Sequence, residues 1–396
     1  MTFKKEMFSE RFLWPFNKNR ISLAIERKKA EKSKLYDLTV SNPLLCGFEY
    51  DERLIKKAFQ KVSWLEYSPH PLGRFDARKA VRKYYEDRNI FVNFNNICLT
   101  CSTSEAYSFI FKLLCNPYDE ILVPSPSYPL FQHLSELDNV SITPYRIKYD
   151  GNKFKVDFDS FFGSISQKTK AIIIVNPNNP TGSYIKPDEI ENIIRICTDN
   201  NIAIISDEVF LDYSEGRKYN LSLASNDKCL TFVLSGLSKV CGLPNLKLSW
   251  ICINGSGKQC IETMDRLEFI SDSYLSVSTI VQQALPLILS GSDNIQKQIK
   301  DRLRDNENFL YDSLQSVPSL RLLLREGGWY AIIETPDFAD DEAFIVSLIE
   351  DNNVLVYPGY FFDFKRFGYF VLSLIVKPED FKEGVSRLIG RSEFLV

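Results

Sequence analysis

One lysine of this chain is placed where it could do covalent chemistry. Residues 230–234 (LTFVL) predict a buried strand, and Lys239 follows it shortly before Gly242 and Pro244. Most lysines lie on solvated surfaces, which is the simpler interpretation of this one. A lysine between an apolar strand and a Gly-Pro turn is instead poorly solvated, which lowers its pKa and favours an amine nucleophile.

Polar or aromatic residues follow five predicted strands, at the point where each strand ends. The segments are CSTS (101–104), PSPSYP (124–129), NPNNPTG (176–182), DEVF (207–210) and SGLSK (235–239). Ligands of parallel α/β sheets bind at the carboxyl ends of the strands. We therefore expect these segments to meet in one site around Lys239.

The elements that must position these segments alternate between strand and helix. Continuous apolar strands such as residues 171–175 (AIIIV), interleaved with amphipathic helices such as 187–199, indicate a mostly parallel sheet covered on both faces. From about residue 279 the pattern changes to two long helices, short strands and a last helix at 378–389. We predict a large domain at 46–284, and a small α+β domain formed by 285–396 with the N-terminal arm at 1–45.

Composition argues against several classes of protein. The net charge is −3 and no basic stripe is present, which argues against nucleic-acid binding. The N-terminus lacks the apolar stretch of a signal peptide, and no apolar run approaches the roughly 20 residues that span a bilayer. Nine scattered cysteines and only two histidines indicate reduced thiols in the cytoplasm and no metal site.

Six segments together resemble the class I/II aminotransferase family of pyridoxal-phosphate-dependent enzymes, which have fold type I. They are YSPHPLG (67–73), TCSTSEA (100–106), PSYP (126–129), NPNNPTG (176–182), DEV (207–209) and SKVCGLP (238–244). The NPNNPTG and SKVCGLP segments together are the most specific for this family. The resemblance implies pyridoxal 5′-phosphate as cofactor, and a mostly parallel seven-stranded sheet between helices with a smaller α+β domain.

The resemblance also implies catalytic roles. Lys239 would form the Schiff base with the cofactor and later move the α-proton. Asp207 would pair with the pyridinium nitrogen, Asn179 would donate to the phenolic oxygen, and Tyr128 would stack on the ring. Taken alone, these three could instead be a helix cap, a turn residue and a core tyrosine.

Cofactor-binding residues are implied in the same way. Ser102 and Thr103 begin a helix whose N-terminus would hold the phosphate, although an N-cap alone would look the same. Tyr67 would reach the phosphate of a neighbouring subunit, which implies a homodimer. Lys247 stands where the family has a phosphate-binding arginine. A lysine keeps the positive charge but cannot form the two parallel hydrogen bonds of a guanidinium.

Three further positions depart from the family. Phe210 replaces a tyrosine, which removes a hydroxyl donor to the phenolic oxygen and raises the expected pKa of the Schiff base. Gly236 replaces a phosphate-binding serine or threonine, and Ser238 is the candidate to replace it. Val371 stands where an arginine would bind the substrate α-carboxylate, so either the substrate is atypical or another cation (Arg366, Lys377 or Arg74) takes over.

The main hypothesis is an aminotransferase that moves an amino group between an amino donor and a keto acceptor by a ping-pong mechanism. A lyase or decarboxylase with the same cofactor is the alternative on this fold. A catalytically inactive binding or regulatory protein is the alternative from another class, and intact Lys239, Asp207 and Asn179 argue against it.

Overall fold

The computed structural model of the protein describes residues 7–12, 14, 17–214, 222–336 and 340–391. Parts of the predicted N-terminal arm (1–6, 13, 15–16), large domain (215–221) and small domain (337–339, 392–396) therefore lie outside the described residues. The strands are β1 (Tyr36–Asp37), β2 (Ile97–Thr100), β3 (Glu120–Ser125), β4 (Ser141–Tyr149), β5 (Phe154–Val156), β6 (Thr169–Val175), β7 (Ala203–Asp207), β8 (Thr231–Gly236), β9 (Ser249–Asn254), β10 (Arg321–Leu322), β11 (Tyr330–Glu334), β12 (Val354–Leu355), β13 (Tyr357–Pro358) and β14 (Tyr369–Ser373).

The helices predicted at 187–199 and 378–389 are both formed, within one residue of those bounds. The helices are α1 (Arg20–Ala30), α2 (Glu52–Gln60), α3 (Phe75–Glu86), α4 (Thr103–Leu114), α5 (Leu130–Leu137), α6 (Phe158–Ser164), α7 (Pro187–Asn200), α8 (Leu237–Val240), α9 (Gly257–Asp272), α10 (Thr279–Ser290), α11 (Ser292–Leu314), α12 (Asp341–Asn352) and α13 (Pro378–Ile389). None of the helices within the described residues combines the length and the apolar composition needed to cross a membrane.

A mixed sheet organises the larger part of the molecule. Its strand order is β2-β9-β8-β7-β6-β3-β4-β5. The pairs from β8 through β7, β6 and β3 to β4 are parallel, whereas β9 is antiparallel to both neighbours and β5 is antiparallel to β4. The predicted mostly parallel sheet is confirmed, and the short edge strand β5 extends it beyond the seven strands expected.

Both faces of this sheet are buried, as its apolar strands predict. Along β6, Ile172 and Ile174 belong to one hydrophobic cluster, while Ala171 and Ile173 belong to another. Successive side chains of a strand point to opposite faces, so the two clusters are the cores on either side of the sheet.

A second, smaller sheet has the order β10-β11-β14-β13 and shares a separate core with α11, α12 and α13. The N-terminal segment joins it, because β1 pairs with β12 and Ile21 of α1 is buried in the same core. This arrangement supports the division into 46–284 and 1–45 with 285–396, which remains our proposal.

Helix α9 was not predicted, although it is 16 residues long. Its buried positions include Cys260, Thr263 and Ser271 beside Met264 and Leu267. Because several of the buried positions carry small polar side chains, the apolar periodicity that identifies an amphipathic helix is weak there.

Candidate active site

The carboxyl ends of the parallel strands surround a cavity of about 170 Å³. Most of the sequence-predicted site residues line it, namely Thr103, Tyr128, Asn179, Asp207, Phe210, Ser238 and Lys239. Ser41, Val209, Ser249 and Tyr330 also line it and were not predicted. The expectation that the strand-end segments meet in one place therefore holds in the structure.

Lys239 lies in the short helix α8, directly after β8. Its Nζ is 4.5 Å from the ring centroid of Trp329 and 5.2 Å from that of Phe210. Burial lowers the pKa of Lys239 to about 8, although the nearby Asp207 carboxylate opposes this fall. About half of this amine is therefore in the neutral, nucleophilic form near pH 8, where a lysine of ordinary pKa is almost fully protonated.

Asp207 is the last residue of β7, and both of its carboxylate oxygens accept hydrogen bonds. The Tyr107 hydroxyl donates to Oδ2 at 2.9 Å, and the Val209 backbone N–H donates to Oδ1 at 3.2 Å. Burial raises the pKa of Asp207, while these two donors and Lys239 hold it down. The capping alternative accounts only for the bond to Val209, so it does not explain why the carboxylate faces the cavity.

Asn179 is buried in the loop after β6, and its Oδ1 has no hydrogen-bond partner among the described residues. The turn itself is held by Asn178, whose Oδ1 accepts from the Thr181 hydroxyl at 2.9 Å. Buried amides are rarely left without partners. The side chain of Asn179 is therefore available to a ligand rather than needed by the turn.

Tyr128 lines the cavity and the residue is 39% exposed, so it is not a core tyrosine. It packs edge-to-face on Phe131, with the ring centroids 6.2 Å apart. Burial and the neighbouring Asp207 carboxylate raise the pKa of the Tyr128 phenol. The phenol consequently stays neutral at physiological pH.

Helix α4 begins at the cavity. Ser102 caps it by accepting a hydrogen bond from the Glu105 N–H at 3.1 Å, and Thr103 lines the cavity. The capping alternative is thus correct for the Ser102 hydroxyl. It leaves the N-terminus of a 12-residue helix pointing at the site, where an anion is favoured.

Besides Ser102, two predicted residues do not line the cavity within one chain. Lys247 is exposed in the turn before β9, and makes no ion pair with any described residue. Tyr67 is 78% exposed and lines a separate groove with Ser276. A role for Tyr67 at a phosphate therefore requires a second subunit.

Val371 is fully buried in β14, opposite Tyr357 and Ile332. Arg366 pairs with Glu334, and Arg74 pairs with Glu66 at 2.6 Å. Neither of these cations lines the cavity, and Lys377 does not line it either. Among the described lining residues, Lys239 is the one cation.

These residues fit the cofactor that the sequence implies. A buried amine of lowered pKa suits imine formation, a buried carboxylate suits a protonated ring nitrogen, and the Nδ2 donor of the Asn179 amide, which lines the cavity, suits a phenolic oxygen. The N-terminus of α4 suits a phosphate. The donor set therefore matches the aldehyde, ring and anionic ends of pyridoxal 5′-phosphate.

Comparison with known proteins agrees with this chemistry. The sequence profile described as "Aminotransferase class I and II" matches residues 38–388. A glutamate-pyruvate aminotransferase of Haemophilus influenzae is 26% identical over 371 residues, which cover 91% of either chain. A tyrosine aminotransferase of Caenorhabditis elegans is 27% identical, over 81% of this chain and 70% of its own.

Solved structures show the same fold. An alanine aminotransferase from Pyrococcus furiosus superposes with a TM-score of 0.87 at 24% identity, covering 96% of this chain and 98% of its own. A double mutant of the Thermus thermophilus aspartate aminotransferase gives a TM-score of 0.84 at 21% identity, covering 97% and 99%.

Proposed function

The chain belongs to the class I and II aminotransferase family, and we propose that it transfers an amino group between an amino donor and a keto acceptor by a ping-pong mechanism, on an atypical substrate. Pyridoxal 5′-phosphate is the cofactor of this family and of this enzyme. The observation that carries the proposal is the amine of Lys239, which faces Asp207 and Asn179 in one cavity.

The residues that line the cavity have different proposed roles in the reaction. When bound, the cofactor supplies an electron sink that stabilises a carbanion at the substrate carbon. Lys239 would hold the cofactor through Nζ and, once released, would take the proton from the substrate carbon and deliver it to the aldehyde carbon of the cofactor, so that the amino group stays with the cofactor. Asp207 would keep a proton on the ring nitrogen, the Asn179 amide nitrogen would donate a hydrogen bond to the phenolic oxygen of the ring, and Tyr128 would cover one face of the ring.

The atypical substrate is supported by the absence of an arginine from the described lining of the cavity. A carboxylate in a partly dry pocket needs a charged donor, and Val371 supplies none. The hydroxyls of Tyr128, Tyr330 and Ser41 are neutral donors instead. They suit an amino compound that carries hydroxyl or carbonyl groups near its amine.

We also propose a homodimer in which Tyr67 serves the partner's site. Its support is the exposed apolar surface around Tyr67, where Trp64 is 63% exposed, Leu65 98%, and Leu275, which lines the same groove as Tyr67, 51%. Exposed aromatic and aliphatic groups in such a cluster mark interaction surfaces. The cytoplasmic location remains a prediction, and the nine cysteines on which it rests are all free thiols.

The test is a donor screen without acceptor, read by the absorbance of the bound cofactor. L-Alanine, L-glutamate and amines without a carboxylate are each added to the holoenzyme, with the Lys239→Met variant as control. Conversion to the pyridoxamine form, with release of one keto product, supports the proposal. Release of ammonia or carbon dioxide supports the lyase or decarboxylase alternative. A protein that stays colourless after reconstitution would support the inactive alternative.

A further inference from the structure

Gly236 and Ser249 face each other across the β8–β9 pair. Their Cα atoms are register partners, and Ser249 is also the partner of Thr100 on β2. Residues directly opposite in antiparallel strands project from the same face of a sheet. Thr100, Ser249 and Gly236 therefore form a row across three strands, directly below the start of α4.

The Ser249 hydroxyl occupies the space that a side chain at position 236 would need. A Cβ built on Gly236 would lie 2.2 Å from Ser249 Oγ and 2.8 Å from Ser249 Cβ. The oxygen of a serine at 236 would stand one bond from that Cβ, in the same small volume. Only one of the two positions can carry a hydroxyl without displacing the other.

The hydroxyl of Ser249 is also free to bind a ligand. Ser249 is buried, with 3% of its surface exposed, and that surface lines the cavity together with Thr103. Ser249 Oγ makes no hydrogen bond with any described residue of the chain. A hydroxyl that faces a cavity without a protein partner can donate a hydrogen bond to a ligand bound there.

We propose that the Ser249 hydroxyl binds the phosphate of the cofactor. It replaces, from the neighbouring strand, the hydroxyl that the family carries at the position of Gly236. Ser249 and Thr103 line the same cavity, so the exchange keeps a hydroxyl beside the N-terminus of α4. Ser238, the candidate from the sequence, lies on α8 next to Lys239 and outside this row. The inference depends on the family's cofactor and not on the substrate.

The experiment compares two ligands of the apoenzyme, pyridoxal 5′-phosphate and pyridoxal, by absorbance titration without substrate. Pyridoxal lacks the phosphate. Damage to the fold should therefore weaken the binding of both ligands, whereas loss of a phosphate contact should weaken only the binding of pyridoxal 5′-phosphate. We expect Ser249→Ala to weaken pyridoxal 5′-phosphate binding about tenfold or more, because hydrogen bonds to charged groups are strong. The affinity for pyridoxal should stay unchanged.

Ser235→Ala is the matched control. Ser235 precedes Gly236 on β8, and its buried Oγ also lacks a partner among the described residues, but it points to the other face of the sheet. This variant should bind both ligands as the native protein does. The double variant Gly236→Ser with Ser249→Gly should recover the affinity for pyridoxal 5′-phosphate that Ser249→Gly alone loses.

Three results would overturn the proposal. They are native affinity for pyridoxal 5′-phosphate in Ser249→Ala, an equal loss for both ligands, and a folded double variant no better than Ser249→Gly. If Ser238→Ala alone lost phosphate-specific affinity, the role would belong to Ser238. Because no donor or acceptor is present, none of these outcomes depends on whether the proposed substrate is right.

Discussion

The phenol of Tyr107 donates a hydrogen bond of 2.9 Å to Oδ2 of Asp207 in the buried floor of the cavity. Tyr107 lies on α4, the same helix whose N-terminus points at the cavity next to Thr103. One helix therefore orients the carboxylate that we propose pairs with the ring nitrogen, and presents the N-terminus at which we propose the phosphate binds. The spacing between these two ends of the site is set by a single rigid element.

Replacing Tyr107 by phenylalanine keeps the ring and removes this hydrogen bond. The bond holds down the pKa of Asp207 against the burial that raises it, so we expect that pKa to rise further. The acid limb of kcat/KM against pH should move to higher pH, and cofactor affinity should fall about tenfold. Tyr145→Phe is the control, because its hydroxyl donates to the Ile173 carbonyl at 2.9 Å. An unmoved acid limb in Tyr107→Phe would contradict the role.

The lowered pKa of Lys239, about 8, makes the stability of the apoenzyme depend on pH. The unfolded lysine keeps its proton up to about 10.5, so between pH 8 and 10.5 the unfolded state binds more protons. The contribution of Lys239 to the free energy of unfolding should rise with pH across this window. Urea unfolding of the apoenzyme and of Lys239→Met measures it. The variant should be the more stable of the two below pH 8, and its advantage should shrink as pH rises. A difference that does not change with pH would rule out the shift.

Placing arginine at position 371 should change substrate preference. Val371 pairs with Ile332, two residues from Tyr330 on β11, so its side chain shares a sheet face with a residue that lines the cavity. A guanidinium there should raise kcat/KM for L-alanine about tenfold or more through a charge-assisted pair. The kcat/KM for an amine without a carboxylate should not change. Val371→Met controls for the added bulk, and an equal change for both donors would refute the prediction.

Adding a hydroxyl at Phe210 should lower the pKa read from the absorbance of the bound cofactor. The Phe210 ring lies 5.2 Å from Lys239 Nζ and packs on Trp329, so a hydroxyl at its edge would lie in the same cavity. A donor to the phenolic oxygen supports the deprotonated state, and we expect a fall of about one unit. Spectrophotometric titration of Phe210→Tyr tests this, with Phe131→Tyr adding the same group elsewhere in the cavity. A higher or unchanged pKa in Phe210→Tyr would contradict the expectation.

Mixed dimers can show whether Tyr67 acts across the subunit boundary. The Tyr67→Phe variant retains Lys239, and the Lys239→Met variant retains Tyr67. If Tyr67 serves the partner's site, a mixed dimer contains one complete site, and unfolding and refolding the two variants together should restore cofactor binding of native affinity. If Tyr67 acts within its own chain, no complete site can form and the mixture stays as weak as the separate variants.

Local patterns in the sequence were enough to predict much of this site. Apolar strands followed by Asp207, Asn179 and Lys239 indicated both the sheet and the edge where these side chains meet. That inference works because a parallel sheet aligns all its carboxyl ends at one edge. It needs no knowledge of which strands are neighbours.

Tertiary structure decided the contacts that depend on neighbours. Ser249 matters because β9 lies between β2 and β8 in a register that sets it opposite Gly236, and Tyr107 matters because α4 packs with that face toward Asp207. Strand order and register are set by hydrogen bonds and packing between segments far apart in the chain. The spacing of residues along one segment does not determine the strand order or the register. The sequence could therefore show the loss of a hydroxyl at position 236, and only the fold could show that Ser249 stands in its place.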